Sequence, residues 1–313
     1  MKLPLNIHLY ITPYCPVPCR HCYYEALRPG APYSGQLSAE QMASVIVALD
    51  TEYDMDVHLE GGEAFLSDDL AELLARVPTD TWQKITITTS GALKPKFDVK
   101  LLRSVGDLRV SVEGMNAEQH FTLRGMQIDR TESFMLDLQR DGVRFSIRST
   151  LFTENVQHWM GLAQYARQLG AAQLSWYELQ PVGRANQTAE HGFLTPQQID
   201  SFLASLSAQR SSDLPLLCRF QFPERRVEAV GQRTRSLSAS GWHVRSLPDI
   251  PSLTINPNGD IGVSPWKITA QHVGDRFGNV RDSGWLEKVR KAYGEGNLHD
   301  ASPSTSRLRI SSD

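Results

Sequence analysis

Three of the chain's four cysteines lie within eight residues, in the stretch CPVPCRHC, with the spacing Cys-x3-Cys-x2-Cys. Disulfides between cysteines this close could staple very little chain, so Cys15, Cys19 and Cys22 indicate a metal site. Three thiolates on one loop can hold three corners of a cubane iron–sulfur cluster, whereas electron carriers ordinarily use four. The spacing therefore predicts a cluster whose fourth iron is open to a small molecule.

A zinc site is the alternative interpretation of the same cysteines. The three thiolates and a histidine such as His21 would supply four zinc ligands. However, the x3-x2 spacing is unusual for zinc, and His21 is too close in sequence to Cys22 to chelate easily beside it. These two features favour iron and sulfur.

Composition and charge bound the class of protein. The 313 residues, 41% hydrophobic and 21% charged, are ordinary for a soluble globular chain of one large domain, or one large and one small. No apolar run could span a membrane, and the N-terminal stretch MKLPLNIHLYI is typical of a first strand, not of a signal peptide. We expect a cytoplasmic protein that binds no membrane. The net charge of -3 argues against nucleic-acid binding.

One local region departs from this balance, because six arginines lie between Arg219 and Arg245. A solvated face is the ordinary explanation of such a run. The alternative is a docking site for an acidic substrate or peptide.

The elements that must position the cysteines alternate between strand and helix over about 180 residues. Six such units predict an α/β fold, a partial (β/α)6 TIM-like barrel followed by a small C-terminal α+β extension. The predicted strands are Leu5–Thr12, Asp56–Glu60, Lys84–Thr89, Leu108–Val112, Val143–Leu151 and Leu174–Leu179. The predicted helices are one opened by a capping box at Ser38, Asp69–Val77, Phe97–Val105, Thr131–Arg140 and Asn155–Leu169.

Chemistry in such barrels gathers at the C-terminal ends of the strands, and the unusual residues of this chain lie there. Strand alternation predicts a polar pocket inside the barrel, lined by His8, Tyr10, His58, Glu60, Glu113, Arg148 and either Tyr177 or Glu178. Among these, Arg148, His58 and Glu60 are the candidate catalytic residues. Cys218 joins them as a candidate hydrogen-atom donor, the alternative being a buried structural cysteine.

The cysteine spacing, followed by Tyr23 after the first strand of a βα barrel, resembles the radical S-adenosylmethionine (SAM) superfamily. Further stretches of residues 1–185 resemble the motifs of this superfamily, in the same order. Residues 235–290 more loosely resemble the extension of its SPASM or twitch subgroup. These stretches are Glu60–Glu63 for "GGE", Thr89–Gly91 for "TNG", Ser111–Gly114 with Arg124-Gly125 for "SLDG … RG", and Gln180–Arg184 at the sixth strand end.

The resemblance implies roles for the matching residues. Cys15, Cys19 and Cys22 would ligate one [4Fe-4S] cluster whose fourth iron is chelated by SAM. The implied SAM contacts are Gly61 and Gly62 for close backbone approach, Glu63 for the methionine ammonium, Ser111 and Arg124 for the ribose or carboxylate, Tyr23 and Leu179 for the adenine, and Ser90.

The implied activity is reductive cleavage of SAM, after which a 5′-deoxyadenosyl radical removes a hydrogen atom from a polar small molecule or a peptide side chain. The electron would come from an external donor of the flavodoxin or ferredoxin type. The chain starts at its first strand, which favours a small molecule or a peptide delivered by a separate protein. The alternative function is a non-catalytic iron–sulfur or zinc-binding barrel that acts as a binding module.

The C-terminal part resembles the extension of that subgroup but lacks its cysteines. Ser238 and Ser264 stand at the cysteine positions, and serine is a poor ligand for a soft cluster. We expect an extension that keeps its fold without metal, with both serines as small residues in a retained frame.

The predicted divisions are a barrel at 1–185, a helical and irregular linker at 186–235, the extension at 236–299 and a disordered tail at 300–313. Residues 211–250 are predicted to be irregular, followed by a hairpin at Ser252–Val263 and a helix at Trp285–Tyr293.

Overall fold

A computed structural model describes residues 2–187, 192–247, 250–298 and 307–312 of the chain. Its strands are β1 (Leu3–Tyr10), β2 (Tyr53–Glu60), β3 (Ile85–Thr89), β4 (Asp107–Ser111), β5 (Ser146–Leu151), β6 (Gln173–Glu178), β7 (Leu217–Pro223), β8 (His243–Leu247), β9 (Ser252–Ile255), β10 (Asp260–Gly262), β11 (Gly278–Asn279) and β12 (Arg307–Ser311). Its α-helices are α1 (Ala39–Glu52), α2 (Leu70–Arg76), α3 (Ala117–Arg124), α4 (Ile128–Arg140), α5 (Trp159–Gln168), α6 (Arg184–Gln187), α7 (Pro196–Ala208), α8 (Val227–Ala239) and α9 (Trp285–Gly294).

Within these ranges the strands form one twelve-stranded sheet in the order β11-β10-β9-β1-β2-β3-β4-β5-β6-β7-β12-β8. Neighbours from β1 to β7 pair in parallel, and β9 also pairs in parallel with β1. The helices that connect parallel strands cover one face of the sheet, as such crossovers require. This arrangement confirms the predicted α/β partial barrel and adds two parallel strands to the predicted six, β7 and β9.

Strand alternation divides the side chains between the helix layer and the interior of the barrel. In β2, Val57 and Leu59 are fully buried toward the helices, whereas His58 and Glu60 belong to the opposite face. The predicted capping box of α1 is present at Ser38, and the apolar stripe of that helix is buried against the sheet. Trp176 of β6 stacks on Phe220 of β7 with ring centroids 4.4 Å apart. The apolar core therefore leaves the inner face of the strands for polar side chains.

The first half of the chain differs from the prediction in two places. The helix predicted at Phe97–Val105 is a 3-10 helix at Val99–Ser104. Helix α3 was not predicted, although Asn116 caps it by accepting a hydrogen bond from Gln119 N at 2.8 Å. Gly125 ends α3 with φ +71°, a left-handed conformation that favours glycine. This C-cap places Arg124 in the last turn of the helix.

Residues 211–250 are not irregular, because they contain β7, α8 and β8. In β7, Cys218, Phe220 and Phe222 point to the helices and alternate with polar residues. The arginine-rich composition masked this period of two. The predicted boundary between residues 235 and 236 falls inside α8.

The tail was predicted to be disordered, but its residues 307–311 form β12. This strand pairs antiparallel with β7 and β8, and its fully buried Ile310 lies opposite Phe220. A five-residue strand between two others takes its stability from its neighbours, which the serine-rich local composition does not reveal. Residues 299–306 and 313 lie outside the described residues. The predicted hairpin is confirmed as β9 and β10, and the helix near residue 285 as α9.

Candidate functional site

The cysteine loop follows β1 and is fixed by main-chain hydrogen bonds. Cys15 N donates to Leu27 O, and Leu27 N donates to Pro13 O, each at 2.8 Å. Cys15 and Cys19 are buried, Cys22 is half-buried, and all three are free thiols. Burial raises the pKa of Cys15 to about 12 and that of Cys19 to about 11. These thiols hold their protons until a metal replaces them.

The two glycines after β2 pack directly against this loop. Gly62 N donates to Thr12 O at 2.9 Å, and Glu63 N donates to Tyr14 O at 2.8 Å. A Cβ on Gly62 would collide with Tyr14 O. The glycines are therefore explained by contact with the main chain of the cysteine loop, whereas their predicted contact with the cofactor stays a prediction.

Replacement of Gly62 by alanine is expected to displace the cysteine loop, because the new methyl group collides with main chain and not with a flexible side chain. We expect about 1–3 kcal/mol lower free energy of unfolding and less iron bound after reconstitution. Gly231→Ala in α8 is the matched control, since a Cβ there meets nothing within 4 Å. Thermal unfolding and iron analysis of both variants check the prediction, and normal values for Gly62→Ala would contradict it.

Glu63 lies buried behind the glycines, and its carboxylate accepts four hydrogen bonds. Oε1 accepts from Thr89 Oγ1 at 2.6 Å and from Phe65 N at 3.2 Å. Oε2 accepts from Ser90 N at 2.8 Å and from Ser90 Oγ. Ser90 therefore donates hydrogen bonds to Glu63 in this structure. A ligand ammonium at Glu63 would have to share a carboxylate oxygen with one of these donors.

A buried ion pair lies beside the cysteine loop. Arg124 Nη1 is 2.8 Å from Glu113 Oε2, and His21 Nε2 is 3.5 Å from Glu113 Oε1. Burial alone would raise the pKa of the Glu113 carboxyl, but the Arg124 guanidinium and His21 outweigh it and hold the pKa well below its usual range. Burial would lower the pKa of the Arg124 guanidinium, but Cys19 and Glu113 beside it outweigh burial and raise that pKa above its usual value.

Two buried nitrogens at this ion pair lack hydrogen-bond partners among the described residues, namely Arg124 Nε and His21 Nδ1. Buried donors without partners cost about 1–3 kcal/mol each, so a polar ligand or water at this position is favoured. Three free thiols with unpartnered polar groups beside them fit a cluster and its bound anion. No group of three or more His, Cys, Asp or Glu side chains in the described ranges is arranged to hold one metal ion. A cubane does not require that arrangement, because each thiolate binds a different iron.

A second polar cluster, here called the lumen cluster, lies inside the barrel around Glu60. Glu60 Oε2 accepts a hydrogen bond from Tyr23 Oη at 2.9 Å and lies 3.3 Å from His8 Nδ1. Glu60 Oε1 faces Arg148 Nη1 across the barrel at 3.7 Å. Burial would raise the pKa of Glu60, but His8 and Arg148 hold it well below its usual range. Glu60 is therefore ionised at neutral pH.

Arg148 and His58 complete the lumen cluster. The guanidinium of Arg148 lies over the ring of Tyr177 at 4.5 Å, a cation–π contact. His58 stacks on His8 with centroids 4.9 Å apart, and burial holds the pKa of His58 well below its usual value, so the ring is neutral. Of the two predicted alternatives, Tyr177 faces this cluster. Glu178 belongs to the other face and pairs with Arg225 and Arg226.

The remaining predicted residues are divided between these two regions and the core. Tyr23 joins the lumen cluster, because its hydroxyl also accepts a hydrogen bond from Tyr10 at 3.1 Å. Leu179 is buried in a small apolar cluster with Phe152, whose ring contacts His21. Ser111 is half-buried and is the direct strand neighbour of Arg148. Cys218 lies in the core with Phe220, and its pKa is raised by burial to about 12, which favours the structural interpretation.

Sequence reasoning missed Trp266 and treated His21 only as a zinc candidate. Trp266 lines a cleft at the mouth of the barrel with Tyr177, Gln180 and Gln221. Its ring makes an edge contact with Tyr23 at 5.7 Å. The position of His21 between two cysteines was a sequence signal for a role at the cluster site. The role of Trp266 follows only from the tertiary fold, because Trp266 is distant in sequence from every other residue of the cleft.

The two serines at the predicted cysteine positions differ in their surroundings. Ser238 is exposed on α8. Ser264 is buried after β10, and its hydroxyl accepts a hydrogen bond from Trp266 N at 3.1 Å. Ser264 is therefore part of the turn that carries Trp266.

Residues 9–166 match the sequence model of the "Radical SAM superfamily". The chain is 28% identical over 181 residues to an AdoMet-dependent heme synthase of Oleidesulfovibrio alaskensis, covering 56% of this chain and 46% of the relative. It is 27% identical over 187 residues to the antilisterial bacteriocin subtilosin biosynthesis protein AlbA of Bacillus subtilis, covering 58% and 41%. The chain thus spans about half the length of the curated relatives that it matches.

Two solved structures share the fold at low sequence identity. Streptococcus suis SuiB bound to precursor peptide SuiA gives a TM-score of 0.66 at 14% identity, covering 97% of this chain and 66% of SuiB. Native anSMEcpe with bound AdoMet gives 0.63 at 17% identity, covering 91% of this chain and 80% of that protein. Both likenesses establish the architecture. Separately, the described residues contain no helix that is long and apolar enough to cross a membrane.

Proposed function

The chain belongs to the radical SAM superfamily, and we propose that it is an enzyme that removes a hydrogen atom from a polar substrate held inside the barrel. Enzymes of this superfamily use a [4Fe-4S] cluster and SAM. When bound, these groups supply the radical that oxidises the substrate. The protein's contribution is to bind and orient the substrate and to exclude water.

Cys15, Cys19 and Cys22 are the proposed cluster ligands. Their support is that they are free, lie on one fixed loop and are the only clustered thiols of the chain. Arg124 and His21 would face the cofactor with their unpartnered nitrogens. Glu113 would hold both in place, because its carboxylate contacts both side chains.

The lumen cluster is the single observation that carries the substrate proposal. An ionised carboxylate, a guanidinium and two histidines line the inside of the barrel, where apolar packing would cost less. We propose Arg148, His58 and Glu60 as substrate contacts. Cys218, behind the strand, is not needed for this role.

We propose an external electron donor of the flavodoxin or ferredoxin type. A peptide side chain is the favoured substrate. Relatives named for bacteriocin biosynthesis and sporulation killing factor maturation support a peptide, as does the fold shared with SuiB. The names of the heme synthase and GTP cyclase relatives support a small molecule as the second candidate.

Anaerobic reconstitution is expected to give about four irons per chain, one cubane. Reduction of the reconstituted protein in the presence of SAM should then release 5′-deoxyadenosine, measured by chromatography. About eight irons would show a second cluster and contradict the expectation of a metal-free extension. One zinc per chain, or iron without 5′-deoxyadenosine, would instead support the binding-module alternative.

A further inference from the structure

Arg148 presents hydrogen-bond donors that the protein does not use. Its contact with Glu60, at 3.7 Å, is longer than a hydrogen bond, and Tyr177 supports one face of the guanidinium without accepting a hydrogen bond from it. Across the described ranges the side chain of Arg148 makes no hydrogen bond to protein, although it is only 23% exposed. A half-buried guanidinium with free donors at the inside of a barrel is arranged for an anionic ligand.

The charge beside Arg148 limits which anion is suitable. Glu60 is ionised, and its Oε1 faces Nη1 of the guanidinium. A second anion must therefore approach the other edge of Arg148 within a few ångströms of Glu60. A planar carboxylate with one negative charge can take that edge with two parallel hydrogen bonds. A phosphate would carry more charge toward Glu60 and is disfavoured by the repulsion.

Trp266 is linked to this guanidinium through Tyr177. It lines the cleft at the barrel mouth together with Tyr177, the same ring that supports Arg148. The buried hydroxyl of Ser264 accepts the main-chain N–H of Trp266 at 3.1 Å, which fixes the turn. Ser264 thus has a positioning role at a place where the resemblance predicts only a small residue in a retained frame.

Resting on the proposed function, we propose that the substrate carries a carboxylate that binds Arg148, and that Trp266 and Tyr177 enclose the adjoining part of the substrate. The carboxylate would belong either to an acidic side chain or to the C-terminus of a peptide, since both present the same planar group. Gln221, in the same cleft, offers an amide for the peptide main chain. Substrate selection is then a property of the barrel mouth and not of the cysteine loop.

The test uses the reconstituted protein with SAM bound and three matched probes in isothermal titration. N-acetylglutamate α-amide carries only the side-chain carboxylate, N-acetylglutamine carries only the α-carboxylate, and N-acetylglutamine α-amide carries neither. We expect at least one carboxylate probe to bind about tenfold more tightly than the neutral probe, as loss of a charged hydrogen bond implies. The tighter of the two identifies the source of the carboxylate.

Arg148→Met should abolish this preference, while Arg76→Met, which removes the same charge from an exposed pair on α2, should preserve it. Equal binding of all three probes to the native protein, or a preference that survives Arg148→Met, would overturn the proposal. So would weaker SAM binding by Arg148→Met, because Arg148 would then hold the cofactor. Trp266→Ala should weaken all three probes, and unchanged binding would remove Trp266 from the site.

The outcome is separable from that of the proposed function. Formation of 5′-deoxyadenosine by the native protein, measured without any probe, reports the proposed function independently of Arg148. If the native protein forms no 5′-deoxyadenosine, the proposed function fails whatever the probes show. If it does and the probes bind equally, only the carboxylate assignment fails.

Discussion

Cys22→Ala is expected to reduce the iron content from about four per chain to near zero and to abolish formation of 5′-deoxyadenosine. Two thiolates cannot hold a cubane that needs three, so the loss should be close to complete. Cys22 is the best of the three cysteines to replace, because it is half-buried, whereas Cys15 and Cys19 are buried in the loop. Replacing it changes ligation with the least change in packing.

Cys218→Ala is the matched control for this experiment. It also removes one thiol, but Cys218 is fully buried in the core on β7. We expect a modest loss of stability, about 1 kcal/mol, with iron content and SAM cleavage unchanged. Iron analysis and the visible spectrum of anaerobic protein distinguish the variants. Native iron content in Cys22→Ala would show that the cysteines have been assigned wrongly.

The barrel could be predicted from sequence because its signals are local. The hydroxyl and amide of Ser38 and Gln41 form a capping box within four residues, and the alternation of His58 and Glu60 with Val57 and Leu59 assigns the two faces of β2. The strand residues of the lumen cluster followed from that alternation, whereas Tyr23 of the cysteine loop did not. These strands are distant in sequence, but parallel packing brings their inner faces together.

What could not be predicted depends on contacts distant in sequence. Strand β12 is stabilised by its neighbours β7 and β8. Its own serine-rich surroundings indicated disorder, because they contain no sign of these neighbours. Trp266 reaches the mouth of the barrel only because β9 pairs with β1, and β10, which pairs with β9, leads into the turn of Trp266. The reason for Gly62 was also hidden, since the group that excludes a side chain is Tyr14 O on another loop.

Glu113→Ala is expected to have the second large effect, on stability and on SAM binding together. Only 8% of the Arg124 side chain is exposed, and the substitution leaves its charge without a partner. Breaking a buried pair in this way costs about 3–5 kcal/mol of the free energy of unfolding. Arg124 and His21 would also lose the group that orients them beside the cysteine loop. SAM affinity should therefore fall even in protein that remains folded.

Glu113→Gln tests whether the charge of Glu113 is responsible, because the amide keeps the shape and one acceptor. Since the folded pKa of Glu113 is depressed, its charge stabilises the protein above the ordinary glutamate pKa of about 4.3 and ceases to do so as pH falls through the folded value. The native protein should thus be more stable than Glu113→Gln at pH 7, by a margin that narrows only in acid.

Glu52→Ala, which breaks the exposed pair with Arg290, is the control and should change little. Urea unfolding at several pH values and SAM titration provide the measurements. If Glu113→Ala is as stable as the native protein and binds SAM equally well, Glu113 does not hold Arg124 for the cofactor, and Arg124 must be oriented by the end of α3 alone.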